Sequence, residues 1–215
     1  MTPPSLANNR SLAAAFAVLR GAATTTGRAL RTASLTLAAV ALGAGSSWYA
    51  INSGLWFNTA TYGAWTLWTQ DGALNTEPYS RARYAGIGML VHGSDRIVRY
   101  EARVDDDGRR LHSSCTYRVD VPSLRAAWWS IAVFDSSGRK IANEASRYGF
   151  NRRTAARSPD GMTTIVVARD ASAGNWLPSG SAGRLVLILE LIEPDIEPST
   201  GRPISQPPPV RRLSC

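Results

Sequence analysis

Chemistry requires side chains that donate, accept or ligate at workable spacing, and this sequence offers few of them. Its two histidines are His92 and His112. His112 falls on the polar phase of an alternating stretch and His92 stands next to Gly93 in a turn-like context, so both read as surface side chains. No G-x-S-x-G elbow, H-E-x-x-H pair or phosphate-cradling glycine loop occurs. The run Ser179, Gly180, Ser181, Ala182 and Gly183 lacks the lysine of a P-loop and reads as a turn. Asp105, Asp106, Asp107 and Gly108 carry the hard oxygens that calcium prefers, but their spacing is not that of an EF-hand, and a hairpin turn asks for the same residues. The reading therefore assigns no catalytic residue, no metal ligand and no cofactor, and it favours a binding module over an enzyme.

The better candidates for function are aromatic. Trp176 is flanked by Asn175 and Pro178, and Arg147 precedes Tyr148 in another irregular stretch. A planar ring beside a few hydrogen-bonding groups is how sugars and proline-rich peptides are held. Trp176 is expected in a loop between strands. The structural alternative is that Trp176 plugs the open end of a β-sandwich while Asn175 ties down the backbone. Cys115 and Cys215 are the only cysteines, too few for a Cys-rich zinc site. In an oxidising compartment they would pair and tether the C-terminal tail, the alternative being a core Cys115 with a free Cys215.

The compartment follows from the N-terminal third. Residues 33–51 carry no charge, and nineteen helical residues span roughly the 30 Å of a bilayer core. Arg10, Arg20, Arg28 and Arg31 precede this stretch, and the first acidic residue is Asp71. The positive-inside rule then keeps residues 1–32 in the cytoplasm and exports everything after the span. Trp48, Tyr49, Trp56 and Phe57 suit an aromatic belt at the far interface. An uncleaved signal-anchor in the bacterial inner membrane, with the main domain periplasmic, is the expectation. Cleavage near residues 44–47 is its rival. Residues 11–20 read either as a short helix on the inner membrane surface or as disordered leader.

The exported part must supply the scaffold for any site. Residues 52–77 read as a lead-in with a strand near 64–69, and Pro78 starts a short helix that Gly86 and Gly88 end. Residues 98–104 and 111–121 alternate apolar and polar positions about the Asp105 to Gly108 turn, which predicts an antiparallel hairpin. The stretch 126–135, containing Trp128 and Trp129, is apolar on both faces and reads as a central, doubly buried strand. Residues 136–138 turn the chain toward a return strand near Ile141. A strand over 162–169 follows the turn at Asp160 and Gly161, and residues 184–192 are again apolar on both faces. The sum is an all-β fold, a β-sandwich or jelly-roll-like domain over 78–192 preceded by one transmembrane helix. The tail, 193–215, is broken by Pro194, Pro198, Pro203 and Pro207 to Pro209. It is expected to wrap the surface in extended or polyproline form.

Several of these residues, in order along the chain, carry a family resemblance. They are Trp65, the segment from Pro78 to Ala82, Cys115 with Tyr117, Trp128 with Trp129 and Ser130, Asp135, Gly138, Arg147 with Tyr148, Asp160 with Gly161, the element Asn175, Trp176, Leu177 and Pro178, and the strand from Leu185 to Pro194. Together they resemble the family called domain of unknown function 1214. The resemblance implies a β-rich, jelly-roll-like domain of bacterial envelope proteins, here in a short single-pass form. It carries over no activity.

A formal charge of +8 raises nucleic acid as a partner only where basic residues cluster. Here the arginines are spread, and the exported topology separates the domain from nucleic acid. The leading expectation is a non-enzymatic envelope module that binds another envelope protein or its own copies. A carbohydrate- or peptidoglycan-binding jelly roll is the second reading, and an envelope hydrolase with loop-borne carboxylates and arginines the third.

Overall fold

The computed structural model describes residues 8–53, 59–69, 77–87 and 96–215, with side-chain surroundings for 27–52, 59–69, 77–86 and 96–215. His92, Gly88, Gly93, Trp56, Phe57 and Asp71 lie outside the described residues. The chain divides into two compact units, Met1–Asn52 and Ser53–Cys215.

The first unit is a single helix, α1 (Asn8–Ser53), of 46 residues. Residues 11–20 therefore belong to the same unbroken helix as residues 33–51. Within α1, Gly27–Asn52 is long and apolar enough to cross a membrane. Several of its polar side chains bond back to the helix. The hydroxyls of Thr32, Ser34, Thr36 and Ser46 each donate to a backbone carbonyl three or four residues earlier, which removes most of their cost in an apolar medium. Leu35, Leu37, Val40 and Leu42 are exposed along it.

The second unit begins with the strands β1 (Thr59–Tyr62) and β2 (Trp65–Trp68) and the helix α2 (Pro78–Ile87), which starts on proline as expected. Glu77 caps α2, its carboxylate accepting from the backbone N–H of Tyr79 and Ser80 at 2.8 Å each. Strands β3 (Ile97–Ala102), β4 (Thr116–Val121), β5 (Ala126–Asp135), β6 (Gly149–Asn151) and β7 (Thr163–Ala168) follow. Next come β8 (Asn175–Pro178), β9 (Leu185–Pro194), the two-residue β10 (Ile196–Glu197) and β11 (Arg202–Pro203), and finally β12 (Val210–Ser214). They form a six-stranded sheet in the order β1-β2-β3-β9-β5-β6 and a four-stranded sheet in the order β12-β4-β7-β8, with β10 and β11 paired apart. The fold is a β-sandwich-like domain, as the alternation predicts. Inward side chains of both sheets, among them Tyr100, Tyr117, Ile131, Ile165, Leu177, Leu187 and Leu189, make one core. Each such residue contributes roughly 1.5–3 kcal/mol of burial.

Three expectations change. Residues 98–104 and 111–121 do not pair as a hairpin, because β3 lies in the six-stranded sheet and β4 in the other. Only the Val104–Arg110 bridge closes the turn, after which the chain crosses over. Alternation cannot reveal this, since a strand on either sheet turns the same apolar phase toward a shared core. Strand β5 is interior to its sheet, between β9 and β6, but it is not doubly buried: Trp129, Ile131 and Val133 are buried on one face while the other face is half-buried. The guanidinium of Arg153 lies 5.6 Å from the Trp128 ring on that outer side. The return strand near Ile141 is a single bridge, Phe134 to Lys140. The true partner is β6, where Gly149 lets the chain pass close: a Cβ there would meet the Ile131 carbonyl oxygen at 2.7 Å.

The tail also departs from its expected surface path. After Pro209 it becomes β12, an edge strand whose Val210 is wholly buried. An edge position tolerates the prolines just before it, because only one side of the strand needs ladder bonds. Three further contacts pin it. The Trp65 indole N–H donates to the Pro208 carbonyl, Arg212 pairs with Asp105 at 2.8 Å, and Cys115 is disulfide-bonded to Cys215 across 100 residues. Closing a loop of that length stabilises the folded state by up to about 4–5 kcal/mol in the chain-entropy model. Reduction, or Cys215→Ser, should therefore lower the urea midpoint of the body, followed by tryptophan fluorescence of the full chain in detergent. An unchanged midpoint would mean that the bridge adds nothing.

Candidate functional site

Asn175, Trp176 and Pro178 lie on strand β8, parallel to β7, and not in a loop. Asn175 is buried and fully engaged: its Oδ1 accepts from Ala156 N–H at 2.7 Å, and its Nδ2 donates to the carbonyls of Ala156 and Thr164 at 2.8 and 2.9 Å. The Trp176 indole N–H donates to the Ala168 carbonyl at 3.1 Å. Arg147 does come to this element, donating to the Trp176 carbonyl at 3.1 Å while its guanidinium rests 5.4 Å from the Phe150 ring. Tyr148 instead faces Lys140, whose ammonium is 5.4 Å from the ring centre. Arg147 thus meets the Asn175–Pro178 strand, while Tyr148 stacks with Lys140. The polar atoms of Asn175 and Trp176 bind the protein's own backbone.

The Asp105 turn holds no free oxygen cage either. Asp105 is 2% exposed, its Oδ1 accepts from the N–H groups of Asp107 and Arg109, and its Oδ2 faces Arg212. Gly108 supplies the positive φ the turn needs. Among the described residues, no three His, Cys, Asp or Glu side chains converge as metal ligands would. His112 is exposed, and its Nδ1 lies 2.8 Å from the Ser114 hydroxyl.

The arrangement that sequence reading missed is the outer face of the four-stranded sheet. Register sets Arg211 of β12 beside Arg118 of β4, Arg118 beside Val166 of β7, and Val166 beside Trp176 of β8. Their neighbours in sequence, Val119, Val210, Ile165 and Leu177, point into the core, so these four project outward. One step along, Asp120 is opposite Thr164. Arg118 Nε donates to Asp120 Oδ1 at 2.8 Å, and the Thr164 hydroxyl donates to the same oxygen at 2.8 Å. Burial alone would raise the Asp120 pKa. The hydrogen bonds from Arg118 and Thr164 and the charges of Arg118 and Arg211 together outweigh it and hold the carboxyl below its usual range. The one advance signal was polar residues on the outward phase of β4 and β7, which solvated strands share.

Residues 97–196 match the model of a family described as "Protein of unknown function (DUF1214)". No curated protein matches the chain. Among solved structures, the VPA0106 protein from Vibrio parahaemolyticus is similar at 17% identity with a TM-score of 0.54, over 65% of this chain and 36% of that one. An uncharacterized protein from Burkholderia cenocepacia is 20% identical over 55% of this chain and 29% of that one, with a TM-score of 0.36. The chain thus spans about a third of the length of these proteins. The first likeness bears on the fold alone.

Two measurements test these assignments. Asn175→Ala removes three hydrogen bonds to part-buried backbone groups, at about 0.5–1.5 kcal/mol each, and should destabilise the body more than Trp176→Phe, which loses one bond worth about 1 kcal/mol. Equal urea midpoints for the two variants would contradict this. Because the folded Asp120 pKa is depressed, its contribution is present above the unfolded value of about 3.9 and is lost as pH falls through the folded value. Asp120→Asn should therefore flatten the acid limb of the stability curve below about pH 4. From β3 to β10, over residues 97–196, the chain matches the DUF1214 family, the one that its sequence resembles.

Proposed function

We propose that this chain is a membrane-tethered binding module with no catalytic step of its own, whose β-body works on the oxidising, periplasmic side of a bacterial inner membrane. The observation that carries the reading is the Cys115–Cys215 bridge in a body that follows the apolar Gly27–Asn52 helix. Disulfides persist where thiols are not kept reduced, and the arginine-only leader favours a cytoplasmic N-terminus. The partner is an envelope component, reached by a membrane-tethered body, and residues 33–51 span the bilayer.

The protein's single lysine gives a direct test. Lys140 is exposed on the body, so a membrane-impermeant amine reagent applied to spheroplasts should label the chain, and Lys140→Arg should remove that label. Labelling of Lys140 only after lysis would place the body in the cytosol and end the proposal.

A further inference from the structure

A groove of about 600 Å³ opens on the outer face of the four-stranded sheet, walled by Arg118, Asp120, Thr164 and Arg211 and rimmed by Pro207 to Pro209. Beside it, along the same strands, a second hollow of about 290 Å³ is lined by Thr116, Val166 and Ala168. Thr164, Val166 and Ala168 alternate along β7, as Thr116, Arg118 and Asp120 do along β4, so the two hollows share one face. From Thr164 to Ala168 that face runs roughly 13 Å, long enough for an extended chain.

Its charges are arranged for a ligand carrying both an acid and hydroxyls. Arg118 uses its Nε on Asp120 and is 47% exposed. Arg211 is exposed and makes no ion pair among the described residues. Two adjacent guanidinium ends thus face the groove, and a planar carboxylate is what such a pair holds best. Asp120 and Asp160 add acceptors suited to hydroxyls, with Asp160 Oδ1 also accepting from Met162 N–H at 3.1 Å. The β4 and β7 backbone groups behind this face are taken up by the ladder, so an extended peptide would find no main-chain partners there. Recognition has to come from side chains, which suits a sugar.

From this arrangement we propose that the face binds a carboxylate-bearing polysaccharide, its acid seated between Arg118 and Arg211. The proposal deepens the binding reading above by naming a ligand class, and its test is made on purified protein, so it stands or falls apart from the labelling of Lys140. Full-length protein in detergent would be titrated calorimetrically with oligogalacturonate, a hyaluronan hexasaccharide, methyl-esterified oligogalacturonate, oligoglutamate and inorganic phosphate. At least one acidic sugar should bind, with its ester or neutral counterpart weaker by about tenfold or more. Arg211→Gln, at an exposed position, should lose about tenfold in affinity at an unchanged melting temperature, and Arg118→Gln should follow it. Absence of binding by both acidic sugars overturns the proposal. So does equal binding of the ester, of oligoglutamate or of phosphate, or affinity that Arg211→Gln leaves intact.

Discussion

A buried carboxylate joins the two halves of the body. Asp105 lies where the chain leaves the six-stranded sheet for the four-stranded one, and its Oδ1 fixes the turn that makes the crossing. Its other oxygen meets Arg212 of β12, whose guanidinium also sits 5.7 Å from the Tyr117 ring. Removing either partner would strand a charge in a site that is almost closed to water. The turn, the crossover and the docking of the last strand are therefore one device, and the groove wall bearing Arg211 exists because β12 is held there.

The same economy explains why the aromatic candidates look functional in the sequence yet serve the scaffold. Residues 175–178 form a short edge strand in parallel register with β7, and a parallel pair is slightly less stable per residue than an antiparallel one. Asn175 bonds Ala156 on one side and Thr164 on the other, the Trp176 indole bonds Ala168, and Arg147 reaches across to the Trp176 carbonyl. An amide, an indole and a guanidinium all acting on main-chain groups fit a strand that lacks a partner on its far side.

How much of this could be read from residues alone depends on which force set each feature. Strands β3 and β4 were legible because one-sided burial imposes period two, β5 and β9 because short runs apolar on both faces mark buried strands, β7 because a turn precedes it, and the helix α2 because proline marks its first turn. The sheet assignment of β3 and β4 was not, since both phases point to one core. The tail strand was hidden behind Pro207 to Pro209, whose backbone argues against a sheet interior but says nothing of an edge. The pairing of Cys115 with Cys215 was accessible by counting, whereas Arg118, Arg211 and Thr164 come together only through register across three strands. None of those three is unusual in type, so sequence spacing held no trace of the groove.

The distance along the chain between β4 and β12 has a kinetic side. Residues 116–121 are made long before 210–214, so the outer edge of the four-stranded sheet stays unfilled while nearly a hundred residues are still to come. A bare strand edge invites pairing with other chains, and contacts of such separation form slowly. Assembly of this sheet is consequently a late event, and the interval before the final strand docks is when nascent molecules are most exposed to mutual aggregation.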